Sequence, residues 1–495
     1  MERKKLIEES VTREIAGVNP VVAIPYATSV YSISLTRGPK WLFTGGEDGL
    51  IRKFDFFKSV EGKSLLTVSQ RHQLIDSILF NGMICSYWEN EIPYYKSDLS
   101  GNKAGSPVYS LCSDQNGFWL LSGLQNGAIT LQSVRSSEGT IQWYFKNAND
   151  KTVSSEDKQY HHSNSVSCIV TNTEQTNFLS GSWDRKILKW DLNTGKNMNC
   201  FNRSTGQVSA LQYRPSIGTD LHWEATNDDD DDDDNNNNND DDDMGSLFDD
   251  DDDNDGANED RRDKSDAAKK EAADEPGLEP KEKAASQEPE VRRDILKLQR
   301  ESLQTGTYEG QRVSDDIFLS SSIDGSINIW DARIAPRANN VEKIPVPAST
   351  PPWCMSATWS VDGDSVFVGR RNSTVEQYDV RFPTKVSSLL KFPSASGSIS
   401  CVRTLPNRNY LLCGCQDNIR LYDLRLHDAP ATAPTASAPS SRKVSRIPFT
   451  IVPGHNGGIL SDLYVDPTCR FMVSASGNRG WQGKPSDYVF IYEFM

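Results

Sequence analysis

The sequence predicts an all-β fold, a closed propeller of seven four-stranded blades, interrupted by one long acidic insertion. Three observations carry that expectation. Short apolar segments of strand length recur along the chain on both sides of the acidic run, separated by turn residues. These segments are copies of one three-strand unit, and a recurring unit is the signature of a repeat architecture. Finally, one unit is split. "GQVSALQY" is a first strand without its second and third, and "IFLSSSIDGSINIWDAR" is a second and third without a first.

The clearest unit runs from His162 to Gly195, "HSNSVSCIVTNTEQTNFLSGSWDRKILKWDLNTG". It reads as strands "SVSCIV", "NFLSGS" and "KILKWDL", with a turn at Asp184. It resembles the WD-repeat pattern, with His162, Ser180, Asp184, Ile187, Trp190 and Asp191 in the order of that family. The resemblance implies that His162, Ser180, Asp184 and Trp190 form a hydrogen-bonded tetrad tying the strands of the blade together. The physical need is that a buried indole N–H and a buried hydroxyl both require partners.

Five further copies stand in the same register. The first carries Thr44, Asp48, Ile51, Phe54 and Asp55, and the second Ser122, Asn126 and Ile129, with Gln132 in place of the aromatic. Later copies carry Asn372, Val375, Tyr378 and Asp379, then Asp417, Ile419, Tyr422 and Asp423, and lastly His455, Ser474, Val489 and Tyr492. The split unit, with Ser320, Asp324, Ile327, Trp330 and Asp331, supplies the seventh. Seven lies within the range of known propellers. Because the last copy ends after its third strand, Pro20 to Tyr26 is the expected closing strand, which removes an open sheet edge.

The domain reading follows. Residues 1–19 form an N-terminal arm, expected to be helical; 20–213 hold the closing strand, three blades and the first strand of the fourth; 214–315 are the insertion; and 316–495 complete the propeller. Between Asp228 and Asp260 there are 19 acidic residues and no Lys or Arg. Through Asp294 the net charge is −20, which leaves +4 for the rest of a chain whose total is −16. Low hydrophobicity and like-charge repulsion keep such a run from packing into a core. Val291, Ile295 and Leu298 recur at helical spacing, so a helix is expected near 289–303. A Pro/Ala/Ser-rich loop, "HDAPATAPTASAPSSRKVSRIP", follows the third strand of the sixth blade.

Several function classes find no support. There is no apolar run of membrane-spanning length and no apolar signal core in "MERKKLIEESVTREIAG". The nine cysteines are scattered through strand patterns, as expected of reduced thiols, and Cys413 and Cys415 lack a second pair for zinc. "GNRGWQGKP" is one residue too long for a phosphate loop, and Pro485 stands where a Ser or Thr must meet magnesium. No catalytic constellation, cofactor motif or metal site is expected. Two features could contact a partner. Met244, Leu247 and Phe248 are embedded among carboxylates, and Arg370 and Arg371 are paired on a blade turn, where they could grip acidic groups.

A closer resemblance rests on the opening "VNPVVAIPYATSVYSISLTRGPKWLFTGGEDGLIRKFDF", the acidic insertion in the fourth blade, and the ending "GNRGWQGKPSDYVFIYEF". Together these resemble the WD-repeat suppressor-of-Ty subunits of fungal SAGA transcription coactivators. The resemblance implies a nuclear, non-enzymatic subunit that contacts TATA-binding protein and other SAGA subunits. A basic partner such as a histone fits the acidic run, and no sequence-specific DNA binding is expected. The alternatives are a substrate receptor of a cullin ubiquitin ligase, suggested by "WDAR", "YDVR" and "YDLR", and a histone-chaperone or ribosome-assembly adaptor. Against the receptor, an arginine after a third strand has a simpler use in pairing with nearby carboxylates.

Overall fold

In the computed structural model the apolar segments form strands that pair antiparallel with their neighbours in sequence, giving seven four-stranded sheets. The structure describes residues 9–72, 74–75, 78–93, 105–216, 313–334, 341–348, 350–427, 448–478, 486 and 488–495. Of the two units into which the chain divides, Met1–Glu224 with Glu290–Met495 forms the propeller, and Ala225–Pro289 lies outside the described residues. The expected helix near 289–303 and the Pro/Ala/Ser loop also fall outside them.

The closing strand is β1 (Val18–Pro25). Blade 1 is β2 (Val30–Leu35), β3 (Trp41–Gly46), β4 (Leu50–Asp55) and β5 (Met83–Glu89). Blade 2 is β6 (Ser110–Ser113), β7 (Trp119–Gly123), β8 (Ile129–Ser133) and β9 (Ile141–Phe145). Blade 3 is β10 (Val166–Thr171), β11 (Asn177–Ser182), β12 (Ile187–Asp191) and β13 (Asn197–Phe201). Blade 4 is β14 (Val208–Pro215), β15 (Val313–Ser322), β16 (Ile327–Asp331) and β17 (Val341–Ile344). Blade 5 is β18 (Ala357–Trp359), β19 (Ser365–Gly369), β20 (Thr374–Asp379) and β21 (Val386–Lys391). Blade 6 is β22 (Ile399–Thr404), β23 (Tyr410–Cys415), β24 (Ile419–Asp423) and β25 (Phe449–Val452). Blade 7 is β26 (Leu460–Val465), β27 (Phe471–Ser476) and β28 (Tyr488–Phe494), with β1 as its outer strand.

The split unit is one blade. β14 pairs with β15 from Val208↔Ser322 to Pro215↔Val313, so the acidic segment leaves and re-enters between the first and second strands. Pairing runs past both ends of the 214–315 segment, because polar groups of the side chain and backbone there have partners inside the propeller. Arg214 donates from Nε to the Gly363 carbonyl at 2.8 Å, and the Val313 amide donates to Thr173 Oγ1 at 3.1 Å.

The core sits between blades, not within them. Seven apolar clusters each join one blade to the next. Small residues let the second strand of one blade meet the first strand of its neighbour. A Cβ on Gly45 would lie 2.4 Å from Val108 Cγ1, and one on Gly414 would lie 2.4 Å from Leu460 Cδ1. After every third strand one amide ties back to the start of the second strand, as in Leu192 to Thr176, Ala332 to Asp316, Val380 to Asp364 and Leu424 to Asn409.

Closure follows the expected route. β1 pairs with β28 from Val18↔Phe494 to Pro25↔Tyr488. The arm before it, residues 9–17, is helical at Glu9 and Ser10, turns at Val11 and Thr12, and has no regular structure from there to Gly17. It is held by Arg13, which donates to the carbonyls of Cys469 and Phe494, and by Asn407, which donates to the Arg13 carbonyl. The long connection between β4 and β5 was not assigned from sequence. It carries α1 (Phe56–Val60) and α2 (Val68–Arg71), both short and capped by Asp55 and Thr67. Its Phe80 carbonyl accepts the Ala23 amide at 3.1 Å, covering part of the outer edge of β1. Among the described residues no helix is long and apolar enough to cross a membrane.

Candidate interaction surfaces

The best-ordered polar site is the tetrad of blade 3. Ser180 Oγ accepts from the Trp190 indole N–H at 2.8 Å and lies 2.8 Å from His162 Nε2. His162 Nδ1 lies 3.1 Å from Asp184 Oδ2, and Asp184 also accepts from the amides of Ser163 and Lys186. All four side chains come from different parts of the blade: the entry loop, β11, the turn and β12. Burial alone would raise the Asp184 carboxyl, but hydrogen bonds from His162 and those amides outweigh it and hold the group below the ordinary carboxylate range. Phe145 and Phe178 pack on Trp190 at 5.4 and 6.1 Å between ring centroids.

Other blades hold the same node with different chemistry. In blade 4 Trp330 donates to Ser320 at 2.8 Å, Phe201 and Phe318 repeat the aromatic packing, and the Thr205 hydroxyl reaches Asp324 where blade 3 uses histidine. In blade 2 Asn90 accepts from Ser122 and from Gln132. The missing aromatic is supplied by Trp88 of blade 1, whose N–H donates to Gln132 Oε1 at 2.7 Å. In blade 1 Tyr26 of the loop after β1 meets Thr44 at 2.5 Å. In blade 6 Arg420 bridges Ser396 and Asp417. His455 of blade 7 lies 3.0 Å from the Gly458 carbonyl, whereas Ser474 donates to the Tyr492 hydroxyl at 3.4 Å. These are structural joints. Most of their polar groups are paired with one another.

Arg370 corrects an expectation. It is 0 % exposed, and its Nε donates to Glu376 Oε2 at 2.7 Å while Nη1 donates to the Gly325 carbonyl. Tyr378 donates to the same carboxylate at 2.7 Å. Arg370 is therefore part of the blade 5 joint, since a guanidinium carried inward by the strand must be paired to stay charged. It does not grip a partner at the surface. Arg371 beside it is exposed, on the turn corresponding to Trp183 of blade 3. Met244, Leu247 and Phe248 lie outside the described residues, as does most of "GNRGWQGKP".

Arg333, Arg381 and Arg425 each fold back on the aspartate two residues earlier, with Nη2 to carboxylate distances of 2.6, 2.6 and 2.7 Å. That is the simpler use of an arginine after a third strand. A surface missed from sequence lies on the β4–β5 connection and β5, where Leu65, Val68, Ile84 and Tyr87 are exposed. Its signal was an apolar-rich connection far longer than a hairpin. All nine cysteines are free; burial pushes Cys354 up to about 11 and Cys469 up to about 12, which leaves both thiols protonated and unreactive. Among the described residues no group of three or more His, Cys, Asp or Glu could hold a metal ion.

Comparison with known proteins agrees with this architecture. The family model described as the SPT8 β propeller matches residues 17–495. The chain belongs to the SPT8 β-propeller family. It is 41 % identical to the SAGA complex subunit SPT8 of Saccharomyces cerevisiae, over 99 % of this chain and 74 % of that protein. It is 38 % identical to the SAGA complex subunit Spt8 of Schizosaccharomyces pombe, over 99 % of this chain and 82 % of that protein. The match to the SPT8 family spans all seven blades, the acidic insertion in blade 4 included.

Proposed function

We propose that the chain is a non-enzymatic WD-repeat subunit of a SAGA transcription coactivator, working in the nucleus, that binds TATA-binding protein and regulates its delivery to promoters. The observation that carries the coactivator part is the identity to two SAGA complex subunits along 99 % of the chain. A closed propeller suits the role, since it offers rigid blade edges and turns to other SAGA subunits while its buried polar groups only hold strands together.

The TATA-binding protein part is supported by charge. A segment of net −20 leaves blade 4 between two paired strands, with Met244, Leu247 and Phe248 among its carboxylates. TATA-binding protein grips DNA through a basic face with apolar wedges. An acidic tether with apolar residues suits that face, and histones are a second class of basic partner for it. Titration of TATA-binding protein with the full chain and with a form lacking Asp228–Asp260 tests this, at about 0.1 M and about 1 M salt, where the Debye length falls from about 10 to about 3 Å. Tighter, more salt-sensitive binding by the full chain, with competition by TATA-box DNA, is the expected result. Equal affinity and salt dependence for both forms would remove the tether from the account.

A further inference from the structure

The turns that join first to second strands all lie on one face of the ring, because the seven blades repeat one strand order. Their charges segregate by sign. The turns of blades 6, 7 and 1 carry Arg408, Arg470, Arg37 and Lys40. Those of blades 2, 3 and 5 carry Asp114, Glu174, Asp362 and Asp364 and no cation, and blade 4 re-enters through Asp315 and Asp316. Blades 7 and 1 are neighbours across the closure, so each sign occupies one continuous sector. The lone carboxylate in the turns of the basic sector, Asp466, is buried and accepts from the Thr468 amide. The acidic insertion leaves from blade 4, within the acidic sector.

The arm adds a further cation to the basic sector. Arg13 donates from Nη1 to the Cys469 carbonyl at 3.3 Å, and its own carbonyl accepts from Asn407 at 3.0 Å. It therefore lies between Arg470 and Arg408, each of which is one residue along from those partners. Arg408, Arg470 and Lys40 are exposed, and among the described residues none of the three, nor Arg13, forms an ion pair. Cations gathered in this way without counter-charges raise the local potential and draw in anions. Beside them Arg425 Nη1 donates to Glu14 at 3.1 Å, so the sector already takes a side-chain carboxylate carried on irregular backbone.

We propose that the basic sector formed by Arg13 and the turns of blades 6, 7 and 1 binds an acidic segment of a protein partner, whose carboxylates pair with Arg408, Arg470 and Lys40. A guanidinium suits a carboxylate because its fork of N–H groups matches two oxygens. Duplex DNA fits less well. It is a stiff rod with one charge per about 1.7 Å, and a rod laid on this face would run on over the carboxylates of blades 2 to 5. A short peptide stays within one sector. This binding belongs to the propeller itself, so it stands or falls apart from the tether for TATA-binding protein.

Anisotropy tests this on the full chain at about 0.1 M and about 1 M salt, with a fluorescein-labelled peptide of Glu, Ser and Leu residues and with a labelled duplex DNA of equal net charge. Saturable peptide binding that weakens with salt is expected. It should be tighter in a form lacking Asp228–Asp260, because the 19 carboxylates removed repel the probe. Arg408→Glu combined with Arg470→Glu should weaken the peptide roughly tenfold, by loss and reversal of two exposed ion pairs. Lys196→Glu combined with Lys385→Glu, an equal charge change on blades 3 and 5, should alter it by less than about twofold, since salt screens distant charges. No saturable binding to either form, equal binding by the arginine variant, or an equal loss in the lysine variant would each overturn the proposal. DNA bound as tightly as the peptide would overturn the choice of partner. Should the arginine variant fail to keep its thermal midpoint, a benzophenone on the peptide decides with the unmodified chain. Crosslinks in residues 36–40, 405–409 or 466–470 support the site, and crosslinks confined elsewhere exclude it.

Discussion

Trp190 is gripped by a hydroxyl at its N–H, by Phe178 stacked on its ring and by Phe145 meeting it edge-on. Trp190→Ala removes that packing and leaves the Ser180 hydroxyl short of a partner. A loss of about 3–5 kcal/mol is expected in denaturant melts. Asp184 gives a pH-dependent companion. Its folded pKa lies below its unfolded value near 3.9, so its contribution is present above that value and is lost as pH falls through the folded one. Asp184→Asn should therefore cost about 1–3 kcal/mol at pH 7, and the gap to the unmodified chain should narrow in melts near pH 3. The tetrad of blade 3 was legible because its four residue types stand at fixed spacing in one stretch of chain. The joints of blades 1, 2 and 5 were not, for physical reasons. Tyr26 comes from the loop after the closing strand and Trp88 from the preceding blade, so neither partner lies within the repeat it serves. Arg370 reads as a turn residue until Glu376, inward-facing and buried on β20, is seen to need a cation beside it.

At the scale of elements, β1 does the work of an edge guard and a latch. It covers β28, and Val22 and Ile24 complete the apolar cluster between blades 7 and 1. Removing residues 1–25 should bare that edge and strip the cluster. The expected outcome is a lower thermal midpoint together with concentration-dependent association by light scattering, since an exposed apolar edge is a template for pairing. A monomer with an unchanged midpoint would mean that the ring closes by other contacts. The closing strand was readable from simple bookkeeping, because the seventh copy lacked a fourth strand. The segment carrying α1 and α2 was not. Its helices are only five and four residues long, too short for a periodic pattern, and its place is set by tertiary contacts such as Phe80 with Ala23.

At the scale of the molecule, the ring tolerates a long excursion because the cost of closing a loop grows only with the logarithm of its length, about 0.6 kcal/mol per doubling. Deleting Asp228–Asp260 should accordingly move the thermal midpoint by less than about 5 °C, a shift that corresponds to roughly 1–2 kcal/mol in a large domain. Differential scanning calorimetry of the two forms checks this. A larger fall would place those residues in the fold. The order of blades was legible from the repeat, and so was the site of the insertion, because half a unit on either side of it had to find its complement.

The pairing of β1 with β28 also sets a timetable. The ribosome makes Phe494 some 476 residues after Val18, so the latch has no catch while every blade between them is being made. At about 5–20 residues per second the wait is on the order of a minute. Throughout it six blades can form in turn outside the exit tunnel, each burying its flank on the one before, while the apolar strand β1 stays unmatched. The finished ring hides both partners, yet the growing chain must shelter one of them until the other exists.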